Sequence, residues 1–254
     1  MYPYFTLWWV PVYIFGLTLT ICFFLFLWML KRLCLRFWIN STFFFNRTMW
    51  YFFSVVIFSR IFFITSRWNE FKFIDHPNDF FLMTNYNLSL MWAIFWFFLV
   101  LFISIISKWL RSWKYVDATV ISLLFTISFG FIWAFLGWQV YWKPTVLWKW
   151  ILYNTAISNV PYQVEVFPLP IVYAAIFFVL FMASYMIAMF TNIRWIVWYC
   201  SLVIFSSVIL FFEKYSWQTD MFFNKIWLNL SQISAIWLII LSIIWIIRLY
   251  KAPN

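Results

Sequence analysis

The chain has 254 residues, of which 67% are hydrophobic, 28% aromatic and only 9% charged. Soluble domains are about half apolar and roughly a quarter charged, so a water-soluble core could not hide this much apolar surface. The formal net charge is +10, from 17 Lys and Arg against 7 Asp and Glu. The composition therefore excludes a soluble fold and predicts an integral membrane protein.

Seven apolar stretches follow one another along the chain, and each is long enough to cross a hydrocarbon core of about 30 Å as a helix. A transmembrane β-barrel would show short segments with alternating polar positions, and the sequence has no such pattern. We therefore predict an all-α polytopic membrane protein that forms a single domain over residues 1–254. The predicted spans are residues 5–30, 43–63, 88–107, 118–140, 170–191, 195–212 and 230–247.

The basic residues are distributed unevenly between the two predicted membrane faces. The loops after spans one, three and five, together with the C-terminus, hold ten of the 17 Lys and Arg. The opposite face holds six of them and six of the seven acidic residues. By the positive-inside rule, the N-terminus lies outside and the C-terminus inside. The basic charge thus reflects membrane topology, and we expect no nucleic-acid partner.

The balance of tryptophan and glycine is unusual, with 21 Trp and only 3 Gly. Membrane helices are normally rich in glycine, because a small residue lets two backbones approach closely. Several tryptophans also stand where a turn or close packing favours a small residue, such as Trp138 and Trp142 beside Pro144. We hypothesise that many of them are glycine in the living protein, encoded by UGA codons translated as tryptophan. The alternative is a set of genuine interfacial tryptophan belts.

Seven segments carry polar or small residues in a defined order along the chain. They are residues 59–63, 76–81, 88–96, 117–118, 130–142, 213 and 231–232. With glycine at Trp92, Trp96, Trp133, Trp138 and Trp142, their order resembles the prolipoprotein diacylglyceryl transferase family over nearly the whole chain. Residues 130–142 then align with the family signature G-R-x-G-N-F-x-N-G-E-x-Y-G. One assumption thus accounts for both the composition and the motif.

The resemblance implies a bacterial inner (plasma) membrane enzyme with seven spans. Such an enzyme moves a diacylglyceryl group from phosphatidylglycerol onto the lipobox cysteine of a prolipoprotein. The expected partners are therefore a phospholipid, phosphatidylglycerol, and prolipoprotein signal peptides, and we expect no cofactor.

Much of the catalytic signature is nevertheless missing. The family's His is Met91, its signature Arg is Phe131, its two Asn are Ala134 and Gly137, and its Glu is Gln139. We therefore keep two hypotheses open. The chain is either a diverged lipid transferase or a non-catalytic relative that binds phospholipid or a membrane partner. A third, weaker one is a decaying gene without a product.

Transfer from a phosphoglycerol to a thiol requires a cation beside the leaving phosphate, and Arg60 is the basic residue placed well inside a predicted span. An intramembrane charge is a functional candidate by default. We predict that Arg60 and Gln232 bind the phospholipid. The alternative for Arg60 is a structural anchor, because it lies three residues from the predicted outer end and could extend to the interface.

The same reaction needs a group that takes the thiol proton. Glu213, Tyr141 and Gln139 lie at the predicted outer ends of spans four and six, and we predict them as the catalytic residues. The alternative is that helix ends at this face are simply polar. Asp117 is interpreted as a helix-start residue or a loop ion pair. A single His, His76, and three scattered Cys predict no metal site.

Overall fold

The computed structural model describes residues 4–7, 10–66, 90–108, 112–136, 151–152, 165–191, 195–212 and 230–251. These residues form mainly helices, with two short antiparallel ribbons. The helices are α1 Ile14–Arg36, α2 Thr42–Phe45, α3 Thr48–Ser66, α4 Leu90–Ser107, α5 Ser112–Leu136, α6 Leu169–Phe190, α7 Ile196–Phe212 and α8 Leu230–Lys251. The strands are β1 Tyr4–Leu7, β2 Val10–Tyr13, β3 Ile151–Leu152 and β4 Glu165–Val166.

Four helical segments are long and apolar enough to cross a membrane. They are Gly16–Arg36, Trp113–Leu136, Leu169–Phe190 and Gln232–Leu249. Three further apolar segments are shorter: Thr48–Ile61, Ala93–Ser107 and Ile196–Phe212. The helical membrane-protein fold is thus confirmed at the level of four candidate spans. The full set of seven spans and the orientation of the termini stay predictions.

The first two predicted spans differ from the structure at their beginnings. The strands β1 and β2 pair antiparallel, with Thr6 opposite Pro11, and α1 begins only at Ile14. Proline cannot donate the backbone hydrogen bond that a helix interior requires, which favours an extended start. The second predicted span begins inside α2, a single turn separated from α3 by Asn46 and Arg47.

The helix α5 lies at the centre of the described bundle. It packs against α1, α6 and α7, while α3 packs against α4 and α8 against α7. The buried face of α5 carries several hydroxyl groups, which donate hydrogen bonds to backbone carbonyls one turn earlier. Thr119, Ser122 and Thr126 do so over 2.7–2.8 Å. These bonds satisfy the hydroxyls locally, so α5 can place small polar residues in an apolar interior.

Candidate functional site

Arg60 lies inside the bundle rather than at its edge. It occupies α3, six residues before that helix ends at Ser66, which corresponds to about 9 Å along the axis. Its side chain is only 4% exposed and interacts within the protein. Charged residues of membrane helices almost always face the bundle interior or a polar cavity. The burial of Arg60 therefore favours a cation that faces the interior of the bundle over a side chain that extends along the lipid surface to the interface.

Gln232 lies between α7 and α8, at the end of the pair where α7 ends and α8 begins. It is buried near the start of α8, and its Nε2 donates a hydrogen bond of 3.3 Å to the carbonyl of Leu210. Leu210 lies in the last turn of α7, where carbonyls have no partner within the helix. Gln232, a predicted phospholipid-binding residue, thus satisfies a backbone carbonyl at the end of α7. That carbonyl belongs to Leu210, which lies three residues before Glu213 in the sequence.

Asp117 of α5 lies beside the first turn of α7, at the end of α7 opposite to Leu210. It lies in the second turn of α5 with only 4% exposure, and its carboxylate lies close to the backbone N–H of Trp198. Trp198 is in the first turn of α7, where backbone N–H groups lack intrahelical acceptors. The Oδ1 atom of Asp117 is buried without a hydrogen-bond partner. The structure therefore places Asp117 of α5 beside the start of α7, where its carboxylate is positioned to cap that neighbouring helix. The sequence predicted only a helix-start residue or a loop ion pair.

We expect the substitution Asp117→Ala to lower the free energy of unfolding by about 1 kcal/mol, the typical effect of removing a helix cap. The matched variant Asp117→Asn should lose less, because its side-chain oxygen still accepts the Trp198 N–H. Unfolding in mixed micelles, followed by circular dichroism, measures the difference. Equal stability of the Ala variant and the original chain would contradict the capping role.

The last turns of α5 contribute to a cluster of aromatic rings. Phe131 lies 4.8 Å from the ring of Tyr173 and is stacked on Phe177 at 5.6 Å. Tyr173 in turn contacts Phe212 at 5.6 Å. This cluster joins the end of α5, the start of α6 and the end of α7. It offers an apolar ring surface at the position where the sequence comparison expected an Arg.

Gly130 of α5 faces Cys22 of α1. A Cβ atom at that position would meet the Sγ of Cys22 at 3.7 Å, which is ordinary contact, so the packing of the two helices does not require glycine there. Cys22, Cys34 and Cys200 are all free thiols. Within the described ranges, no group of three or more His, Cys, Asp or Glu could hold a metal ion.

The predicted site residues are only partly covered by the structure. Gln139, Tyr141, Glu213 and His76 lie outside the described residues. Arg60 lies in the pair formed by α3 and α4, whereas Gln232 lies in the pair formed by α7 and α8. The principal packing therefore assigns the two predicted phospholipid-binding residues to different helix pairs.

The described residues thus form a mainly helical protein with four helices long and apolar enough to cross a membrane. A scan against protein-family models and a search of curated protein sequences found no match to the chain. The resemblance to the transferase family therefore rests on the order of the sequence motifs alone.

Proposed function

We propose that this chain is a seven-span protein of the bacterial inner membrane, of the prolipoprotein diacylglyceryl transferase type, that binds phosphatidylglycerol. Its N-terminus lies outside and its C-terminus inside. The positions of the seven apolar helices and the excess of basic residues on one face support this topology. The order of the family motifs supports the type of protein.

The observation that carries the proposal is the burial of Arg60. A guanidinium inside an apolar helix bundle is costly, so its retention favours a functional role over a neutral one. Phosphate is the group that arginine binds best, because its planar fork matches two phosphate oxygens. An anionic phospholipid headgroup is the phosphate source that a membrane supplies. We therefore assign Arg60 to the donor phosphate.

In the transfer reaction, the sulfur of the acceptor cysteine forms a bond to the glyceryl carbon. The bond between that carbon and the phosphate oxygen breaks, and its electron pair leaves with glycerol phosphate. The thiol proton passes to a base, for which we propose Glu213 or Tyr141, at the predicted outer ends of spans six and four, with Gln139 as a polar contact. Arg60 would stabilise the charge on the leaving phosphate.

A second candidate function is that of a non-catalytic relative that binds phospholipid or a membrane partner. The stacking of Phe131 against Tyr173 and Phe177 favours it, because apolar rings occupy the position of the signature Arg. An apolar cluster cannot stabilise a phosphate leaving group. It does provide contact surface for an acyl chain.

A lipid-transfer assay distinguishes the two functions. The purified chain, made both with tryptophan and with glycine at the five motif tryptophans, is incubated with phosphatidylglycerol vesicles and a lipobox cysteine peptide. We expect a mass gain of one diacylglyceryl group on the cysteine, absent with a serine peptide and with vesicles lacking phosphatidylglycerol. Phospholipid binding without mass gain would support the non-catalytic relative. A folded protein with neither property would contradict both.

A further inference from the structure

Two tryptophans have a backbone conformation that glycine adopts readily and other residues rarely adopt. The φ angle is 55° at Trp38 and 67° at Trp195. Among the residues that the structure describes, these are the only non-glycine residues with positive φ. For a bulky side chain such a φ is a genuine outlier. Both outliers being tryptophan, in a chain short of glycine, points to a common cause.

Trp38 occupies the helix-end position at which glycine is most enriched. The N–H of Ile39 donates a hydrogen bond of 3.0 Å to the carbonyl of Cys34. The N–H of Phe37 donates one of 2.8 Å to the carbonyl of Leu33. The first bond is the six-to-one bond of a Schellman motif, whose left-handed residue is Trp38. The indole is 94% exposed, so no packing holds a tryptophan in this strained position.

Trp195 stands immediately before α7, and its carbonyl accepts the N–H of Tyr199 at 3.1 Å. It is therefore the residue at which a side chain would normally cap the helix. Here the carboxylate of Asp117, from another helix, lies close to the Trp198 N–H that such a side chain would cap. Residue 195 itself has a left-handed φ, which glycine adopts without strain.

We propose that positions 38 and 195 hold glycine in the natural protein, inserted at UGA codons that are translated as tryptophan in this sequence. Among the tryptophans that the structure describes, these two differ from the rest in their positive φ. It implies that the host decodes UGA with a glycine-carrying tRNA. It does not depend on the proposed lipid chemistry, because both positions are argued from helix ends.

The coding sequence and the natural peptides test the proposal directly. A UGG codon at either position would overturn it. Trypsin cleaves after Arg36, Arg47 and Arg194, so position 38 falls in the short peptide 37–47 and position 195 begins the next peptide. Tandem mass spectra of the protein from its native cells should show glycine at both positions, and tryptophan at either would refute the inference.

Variants of the tryptophan-containing chain provide an independent test. Trp38→Gly and Trp195→Gly should each raise the melting temperature by about 2–4 °C, because glycine removes the left-handed strain. Trp38→Ala and Trp195→Ala remove the ring but keep a Cβ, and should give no such rise. Leu35→Gly, at an exposed position with ordinary helical geometry, should lower the melting temperature. Equal behaviour of the Gly and Ala variants would contradict the proposal.

Discussion

Replacing Arg60 with alanine is expected to weaken the binding of phosphatidylglycerol by about 10–100-fold. A hydrogen bond to a charged partner contributes about 1.5–3 kcal/mol, and each 1.4 kcal/mol corresponds to a tenfold change in affinity. The effect should be near the upper end because Arg60 is nearly fully buried, where water screens the charge poorly. Binding is measured by titrating the protein in nanodiscs with increasing fractions of phosphatidylglycerol.

Two variants separate phosphate binding from structural anchoring at this position. Arg60→Lys keeps the charge but loses the planar fork, so we expect an intermediate affinity. Arg248→Ala removes an exposed arginine that lies over the ring of Trp245, and binding should be unchanged. Affinities are compared among variants with the helical content of the original chain. If folded Arg60→Ala binds the lipid as tightly as the original, Arg60 is an anchor and the assignment fails.

Replacing Phe177 with alanine should lower the free energy of unfolding by about 3–5 kcal/mol, the range for truncating a buried aromatic ring. Phe177 is 2% exposed and lies between Phe131 of α5 and Phe205 of α7, with ring centroids 5.6 Å and 5.5 Å away. Lipid cannot enter a void enclosed by three helices, so those contacts would be lost outright.

The neighbouring Phe178 provides a control of identical chemistry. It is 41% exposed, and its truncation leaves a space that lipid or detergent can fill. We expect Phe178→Ala to change the free energy of unfolding by less than about 1 kcal/mol. Both variants are unfolded in mixed micelles and followed by circular dichroism. Equal losses would mean that the inward face of α6 is assigned wrongly.

The helical segments could be located from hydrophobicity, but their ends could not. The predicted spans coincide with helices because a long apolar run is a direct physical requirement of the bilayer. Hydrophobicity does not distinguish an apolar strand from an apolar helix, so the β1–β2 hairpin was included in the first span. Nor does it detect helix beyond the apolar run. The helix α1 continues through Lys31 and Arg32 to Arg36, and α5 begins at Ser112, six residues before the predicted start.

In the candidate site, too, the sequence reveals features that depend on neighbouring residues but not contacts between residues far apart in the chain. Arg60 could be found from the sequence because a charge inside an apolar run is visible locally. The capping role of Asp117 could not, because its partner lies about eighty residues later, at the start of another helix. The positive φ values at Trp38 and Trp195 likewise needed the structure, although the ratio of tryptophan to glycine had already suggested that some tryptophans stand in place of glycine.

The two ends of α7 have a consequence for how the chain is made. Asp117 emerges from the ribosome before α7, but Gln232 emerges after it, so the Leu210 carbonyl has no partner while α7 is the newest segment. An unsatisfied carbonyl is expensive in hydrocarbon. On the proposed seven-span topology, we therefore expect α7, at 17 residues, to remain beside the translocon until α8 arrives. The two helices would then enter the bilayer together as a hairpin and dock onto a scaffold that α5 has already formed.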